Sequence, residues 1–174
     1  MENQQVSPGK FAVNYGLILG LVIVLISVIM YVTGMQLDGV QWPIYLYYLI
    51  FLGFIFYAVS QFKKQNNGFL SIGESIKVGV VVAVISALVF GVYNIIFNYV
   101  IDPEFTSQVM DVTREKMLEN PNMTEEIVDQ SMEWVEMFSS PWIMTAYWLA
   151  LSAFFGLLYS LIAGAIMKQK PHGA

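Results

Sequence analysis

The sequence predicts an all-α integral membrane protein, a four-helix bundle with a mostly helical extramembrane segment between spans 3 and 4. Three observations predict it. Of 174 residues, 57 % are hydrophobic and only 12 % charged, whereas a soluble domain carries about 25 % charged residues. The apolar residues fall into four runs long enough to cross a bilayer, about 11–33, 42–62, 74–101 and 141–167. Small residues recur every fourth position in two of these runs, which on a helix makes a narrow groove where another backbone can approach closely.

Met1–Lys10 is polar and broken by Pro8-Gly9, so it reads as a disordered tail. Phe11–Thr33 is a continuous apolar run, about 35 Å long as a helix against a hydrocarbon core of ~30 Å. It is too long, and too poorly flanked, for a cleavable signal peptide. Gly16 and Gly20 form a G-x-x-x-G near its start.

A turn containing Asp38-Gly39 follows. The second span, Trp42–Phe62, is dense in aromatics. Trp42 and Tyr45 suit the water interface. The remaining rings are expected to fill grooves left by glycines on neighbouring helices. Lys63-Lys64 then opens a basic turn, and Ser71 with Glu74 has capping-box spacing, which starts a helix at Ser71. Glu74 and Lys77 are spaced to pair at the interface.

The third span is the expected centre of the bundle. Gly79, Ala83, Ala87 and Gly91 share one face. Asn94 and Asn98 lie one turn apart near its end, before Asp102-Pro103. Asn94, Asn98 and Asp102, together with Tyr99, make a candidate polar pocket beneath the external segment. Interhelical hydrogen bonding is the simpler role for the two asparagines.

Residues 104–140 form the one large water-exposed segment, divided at Pro121. Its second half opens with Thr124 as N-cap and Glu125-Glu126 in the first turn. Ile127, Val128, Ser131, Trp134, Val135 and Phe138 fall on one side, and Glu126, Asp129, Glu133 and Glu136 on the other. Ile127, Trp134, Val135 and Phe138 are therefore the candidate face for a partner or a membrane surface. The acidic side needs no metal to explain it, since a solvated face opposite an apolar one accounts for it. Ser152, Gly156, Ser160 and Gly164 repeat the four-residue spacing in the last span, before Lys168, Lys170 and a tail with His172.

Lysines locate the cytoplasm. Lys10, Lys63, Lys64, Lys77, Lys168 and Lys170 belong to one side, against Arg114 and Lys116 on the other. Both termini are expected inside, and segment 102–140 outside, which in a bacterium means the periplasm. Ten of the thirteen acids lie between Asp102 and Glu136, and the absence of a basic face argues against nucleic acid. Spans 1–2 and 3–4 share a glycine-face, lysine-end pattern that a duplication would produce, as would the positive-inside rule alone.

The centres of the spans hold no Asp, Glu, Lys, Arg or His and no proline, which counts against ion-coupled transport by one copy. There is no cysteine, and no triad, zinc motif or phosphate loop, so no cofactor, metal site or enzymatic activity is expected. The bilayer is one partner. A protein partner or a second copy is the other, which makes a non-enzymatic accessory protein the leading reading. A small oligomeric transporter or channel is the alternative.

Asn14-Tyr15-Gly16 with Gly20, Phe62-Lys63-Lys64 before Asn67-Gly68 and Gly73-Glu74, Gly79, and Tyr93 leading through Ile101-Asp102-Pro103 to an acidic segment together form a recognisable pattern. In these residues the chain resembles the domain of unknown function 4199 family, small four-span membrane proteins found mostly in Bacteroidetes. The resemblance implies the fold and a bacterial inner-membrane location. It implies no activity or site residue.

Overall fold

The computed structural model describes residues 7–169; Lys170 and His172 lie outside them, as does most of the N-terminal tail. Six α-helices follow in order: α1 (Pro8–Val32), α2 (Trp42–Gln65), α3 (Ile72–Ile96), α4 (Phe105–Leu118), α5 (Glu125–Phe138) and α6 (Pro141–Met167). A π-helical turn, Phe97–Ile101, extends α3. Helices α1, α2, α6 and α3 with its extension are each long and apolar enough to cross a membrane. They run up-down-up-down, and α4 and α5 form a helical hairpin over one end.

The tail differs from expectation at Pro8–Lys10, which already belong to α1. Proline at the first helical position loses no hydrogen bond, because that N–H has no intrahelical partner, and its fixed φ suits the helix. At the start of α3 the Ser71 cap is complete. Ser71 Oγ accepts from Glu74 N at 3.2 Å, and Ser71 N donates to the Glu74 carboxylate at 2.8 Å. Glu74 also accepts from Asn66 Nδ2 at 3.3 Å, which ties it to the preceding turn. It does not pair with Lys77. Among the described residues the one ion pair is Arg114–Asp129.

Helix α3 stands between α1 and α6 and touches each with a different face. Against α1 it contributes side chains. A Cβ added to Gly16 would lie 2.6 Å from Ile85 Cβ, and one added to Gly20 would lie 2.6 Å from Val89 Cβ. Against α6 it contributes the groove. Gly79 meets Ser160 and the Gly156 carbonyl, Ala83 meets Gly156, and a Cβ added to Gly91 would lie 2.6 Å from the Thr145 methyl. Gly164 lies against Ser75, and Ser75 Oγ donates to the Ser160 carbonyl at 2.7 Å across this contact. Close backbone approach of this kind supplies the dispersion contacts that hold helices together in lipid, where apolar burial against tails gains little.

The glycine grooves are thus filled by aliphatic and small side chains of facing helices, not by the rings of α2. The reason is reach: a groove one methyl deep admits Val, Ile or Ser, whereas a phenyl ring would hold the backbones apart. The α2 rings pack on one another and on rings of α1 and α6, as in Tyr47–Phe51 stacking at 5.8 Å and Tyr48–Phe155 at 5.9 Å. Gly53 of α2 faces open space.

The core is concentrated at the lysine-bearing end of the bundle, where Leu19, Ile55, Val59, Phe62, Val78 and Val82 are fully buried. A two-way backbone pairing of Leu70 with Gln169, 3.0 and 2.9 Å, closes that end.

Candidate functional site

The end beneath the hairpin is built differently. Asn94 Nδ2 donates to the Pro141 carbonyl at 3.3 Å and to Thr145 Oγ1 at 3.2 Å, pinning the start of α6 to α3. Asn98 Nδ2 donates to Asn94 Oδ1 at 3.1 Å and to the Asn94 carbonyl at 2.8 Å. Thr106 Oγ1 donates to Asn98 Oδ1 at 2.6 Å, which fastens α4 to the same pair. The two asparagines therefore use their amides to join α3, α4 and α6. Buried amides without such partners would be costly at this depth.

Asp102 does not join them. The π turn carries an extra residue between Asn98 and the end of the helix, closed by a bond from Asp102 N to the Phe97 carbonyl at 2.9 Å. That turn swings Asp102 toward α1, where its carboxylate accepts from Tyr31 OH at 2.9 Å. The Tyr31, Phe97 and Phe105 rings meet edge to face around this bond, with centroids 4.8 to 5.4 Å apart. Tyr99 points away and is exposed. The expected Asn94–Asn98–Asp102 cluster is thus two sites: an amide junction and a tyrosine latch. A straight α-helical count, which stacks positions 94, 98 and 102, does not anticipate a π turn.

The hairpin has two further attachments. Lys116 Nζ donates to the Asp38 carbonyl at 2.8 Å and the Leu37 carbonyl at 3.4 Å, tying α4 to the turn between α1 and α2. Val128 of α5 is fully buried. The hairpin itself is clipped by Arg114–Asp129, where the adjacent carboxylate raises the guanidinium's pKa above its ordinary value.

The face expected on α5 is split by this seating. Val135 turns inward and lines a chamber of about 320 Å³ beneath the hairpin, beside Asn94, Asn98 and Thr106. Ile127, Trp134 and Phe138 remain outside, 46 %, 59 % and 54 % exposed, with the Trp134 and Phe138 rings stacked at 6.5 Å. On a helix, positions 127, 134 and 138 form one line, while 128 and 135 lie about a quarter-turn away. One broad apolar side therefore carries both an inward and an outward edge.

The small-residue ladders also divide. Gly79, Ala83 and Gly91 of α3 and Gly156, Ser160 and Gly164 of α6 lie in the helix contact. Ala87, between Ala83 and Gly91, and Ser152, the first member of the α6 ladder, are buried but line a second cavity of about 150 Å³ among all four spans. Sequence reasoning missed Ser27 and Gln36, which line both cavities. In the sequence Ser27 is one serine inside the apolar run 11–33, and Gln36 is a polar residue of the turn that follows it.

This architecture defines a class: an all-α membrane bundle of four spans, closed at one end by its core and covered at the other by a helical hairpin. Residues 14–169 match the family described as protein of unknown function DUF4199. The chain belongs to that family. No curated protein and no solved structure matches it.

Proposed function

We propose that this chain is a non-enzymatic accessory protein of a bacterial inner membrane, and that it binds a protein partner through its hairpin. The observation that carries this reading is the surplus apolar edge of α5. Val128 is buried and Val135 lines the chamber, yet Ile127, Trp134 and Phe138 add a second apolar line that stays about half-exposed among the described residues. Stacked aromatics of this kind anchor interfaces, where tryptophan is among the residues carrying most binding energy. Glu126 and Glu133 flank the line, so the fitting partner presents an apolar groove with a basic rim.

The proposed orientation has both termini cytoplasmic and residues 102–140 periplasmic. Its support is that Lys10, Lys63, Lys64, Lys77 and Lys168 gather at the end opposite the hairpin. The oligomeric channel or transporter reading has less behind it. The lysine-bearing half is packed shut by core side chains, and the α3 and α6 small-residue faces are occupied within one copy.

Photo-crosslinking in native membranes tests the reading, with the photoreactive residue at position 134 and, as a control, at 135. A discrete heterologous product from 134 and none from 135 is expected. A product from 134 containing only lipid or a second copy overturns the partner reading.

A further inference from the structure

We propose that the gap among the four spans at the hairpin end is a binding site for an uncharged single-chain amphiphile, a lipid whose head group carries hydroxyl or amide groups and no net charge. The 150 Å³ cavity and the 320 Å³ chamber share Ser27, Gln36, Phe90 and Trp148 in their walls, so they adjoin. Together they fall in the size range of small-molecule pockets, about 300–1,000 Å³.

The gap follows from how α2 is held. Its buried residues run from Phe51 to Phe62, whereas Pro43 alone is buried in its other half. The aromatic contacts between α1 and α2, Phe11–Phe62 and Tyr15 with Phe54 and Tyr57, likewise lie toward the lysine-bearing end. Toward the hairpin end Ile23, Ile26 and Met30 of α1 and Ile44 and Tyr47 of α2 line opposite sides of the cavity, and Ile44 is half-exposed. An acyl chain can leave the gap there and enter the bilayer.

The polar groups facing this space are the second observation. Asn94, Asn98 and Thr106 are engaged with one another. Among the described residues the Ser27 hydroxyl, the Gln36 amide and the Trp148 indole N–H make no hydrogen bond within the chain, although each side chain lines the gap. No buried side-chain nitrogen or oxygen among the described residues lacks a partner, so these three groups are reached from the gap and are free to bond a guest there. Neither wall includes Asp, Glu, Lys, Arg or His, so an ionised head group would be buried without a counter-charge. Uncharged donors and acceptors beside Ile23, Ile26 and Met30 select a molecule with a neutral polar head and an apolar chain. This inference stands apart from the partner reading, because it concerns a different face and no crosslink from position 134 bears on it.

The test uses the full chain in phospholipid nanodiscs with a monoacylglycerol bearing a photoreactive diazirine in its chain, and maps the labelled residues by mass spectrometry. Labelling is expected at residues around the gap, displaced by excess monoolein and not by equal oleate, whose head is charged. Gln36→Leu is expected to weaken labelling about five- to ten-fold, the factor for one lost hydrogen bond. Ser27→Met, which puts a longer apolar side chain where the two cavities join, is expected to block the head group from reaching the chamber and so to abolish it. Without the probe, both variants are expected to be at least as heat-stable as the parent, since each removes a polar group that the chain leaves unbonded. Equal displacement by oleate, labels confined to the outer residues Leu17, Leu21 and Leu25, or full labelling of Ser27→Met overturns the proposal. If Ser27→Met does not fold, head-group competition on the parent chain and the Gln36→Leu labelling decide.

Discussion

Gly156→Ala perturbs the contact between α3 and α6 directly. The added methyl would collide with the Ala83 methyl and come 3.2 Å from the Gly79 carbonyl. Neither neighbour can yield by rotating a side chain, because one is a Cβ and the other is backbone. The helices α3 and α6 must move apart, and the adjoining contacts of Gly79 with Ser160 and of Gly164 with Ser75 loosen with them. Overpacking of this kind costs about 1–3 kcal/mol. Alanine offsets up to ~1 kcal/mol of that through its helix propensity. The net expectation is a loss of about 1–2 kcal/mol, read as a fall of about 2–8 °C in the unfolding midpoint in detergent, scaled as for a domain of this size. Two companion variants make the reasoning refutable. Ala83→Gly combined with Gly156→Ala moves the methyl from one helix to the other, so the pair should recover on the order of 0.5–3 kcal/mol relative to additivity. Gly53→Ala adds a methyl where nothing lies within 4 Å, so it should be neutral or slightly stabilising. If Gly156→Ala melts with the parent, or if Ala83→Gly fails to rescue it, close approach of α3 and α6 is not what holds the bundle.

Three further outcomes follow from the hairpin end. Tyr31→Phe removes the bond to Asp102 but keeps the ring packing, so hydrogen exchange should quicken over 97–104 while the global midpoint changes little. Thr124→Ala removes the α5 cap, whose Oγ1 accepts from Ile127 N at 3.4 Å. A cap is worth about 0.5–2 kcal/mol, and the loss should show as faster proteolysis between Asn120 and Ile127. Lys116→Ala frees the 34–41 turn from α4, and exchange of the Gly39 and Val40 amides should accelerate, with no change at the lysine-bearing end.

Local properties of the chain already determined the number of spans, their bounds to within a few residues, the Ser71 cap and the two hairpin helices. Hydropathy and capping act between near neighbours, so they can be read along the sequence. The small-residue spacing at Gly79 and Gly156 likewise marked faces for close approach. It did not say that these two faces meet each other, while Gly16 and Gly20 receive Ile85 and Val89 from the far side of α3. Pairing depends on the rotation and depth of each helix, which every contact sets jointly. The same holds at the hairpin end. A π turn, invisible to a helical count, separated Asp102 from Asn94 and Asn98. The seating of α5 turned Val135 inward and left Trp134 outside. The four spans leave a cavity whose unbonded members, Ser27 and Gln36, lie on different elements and share no sequence pattern. Only the tertiary structure could bring those two side chains to one space, because what joins them is the gap between helices and not the chain itself.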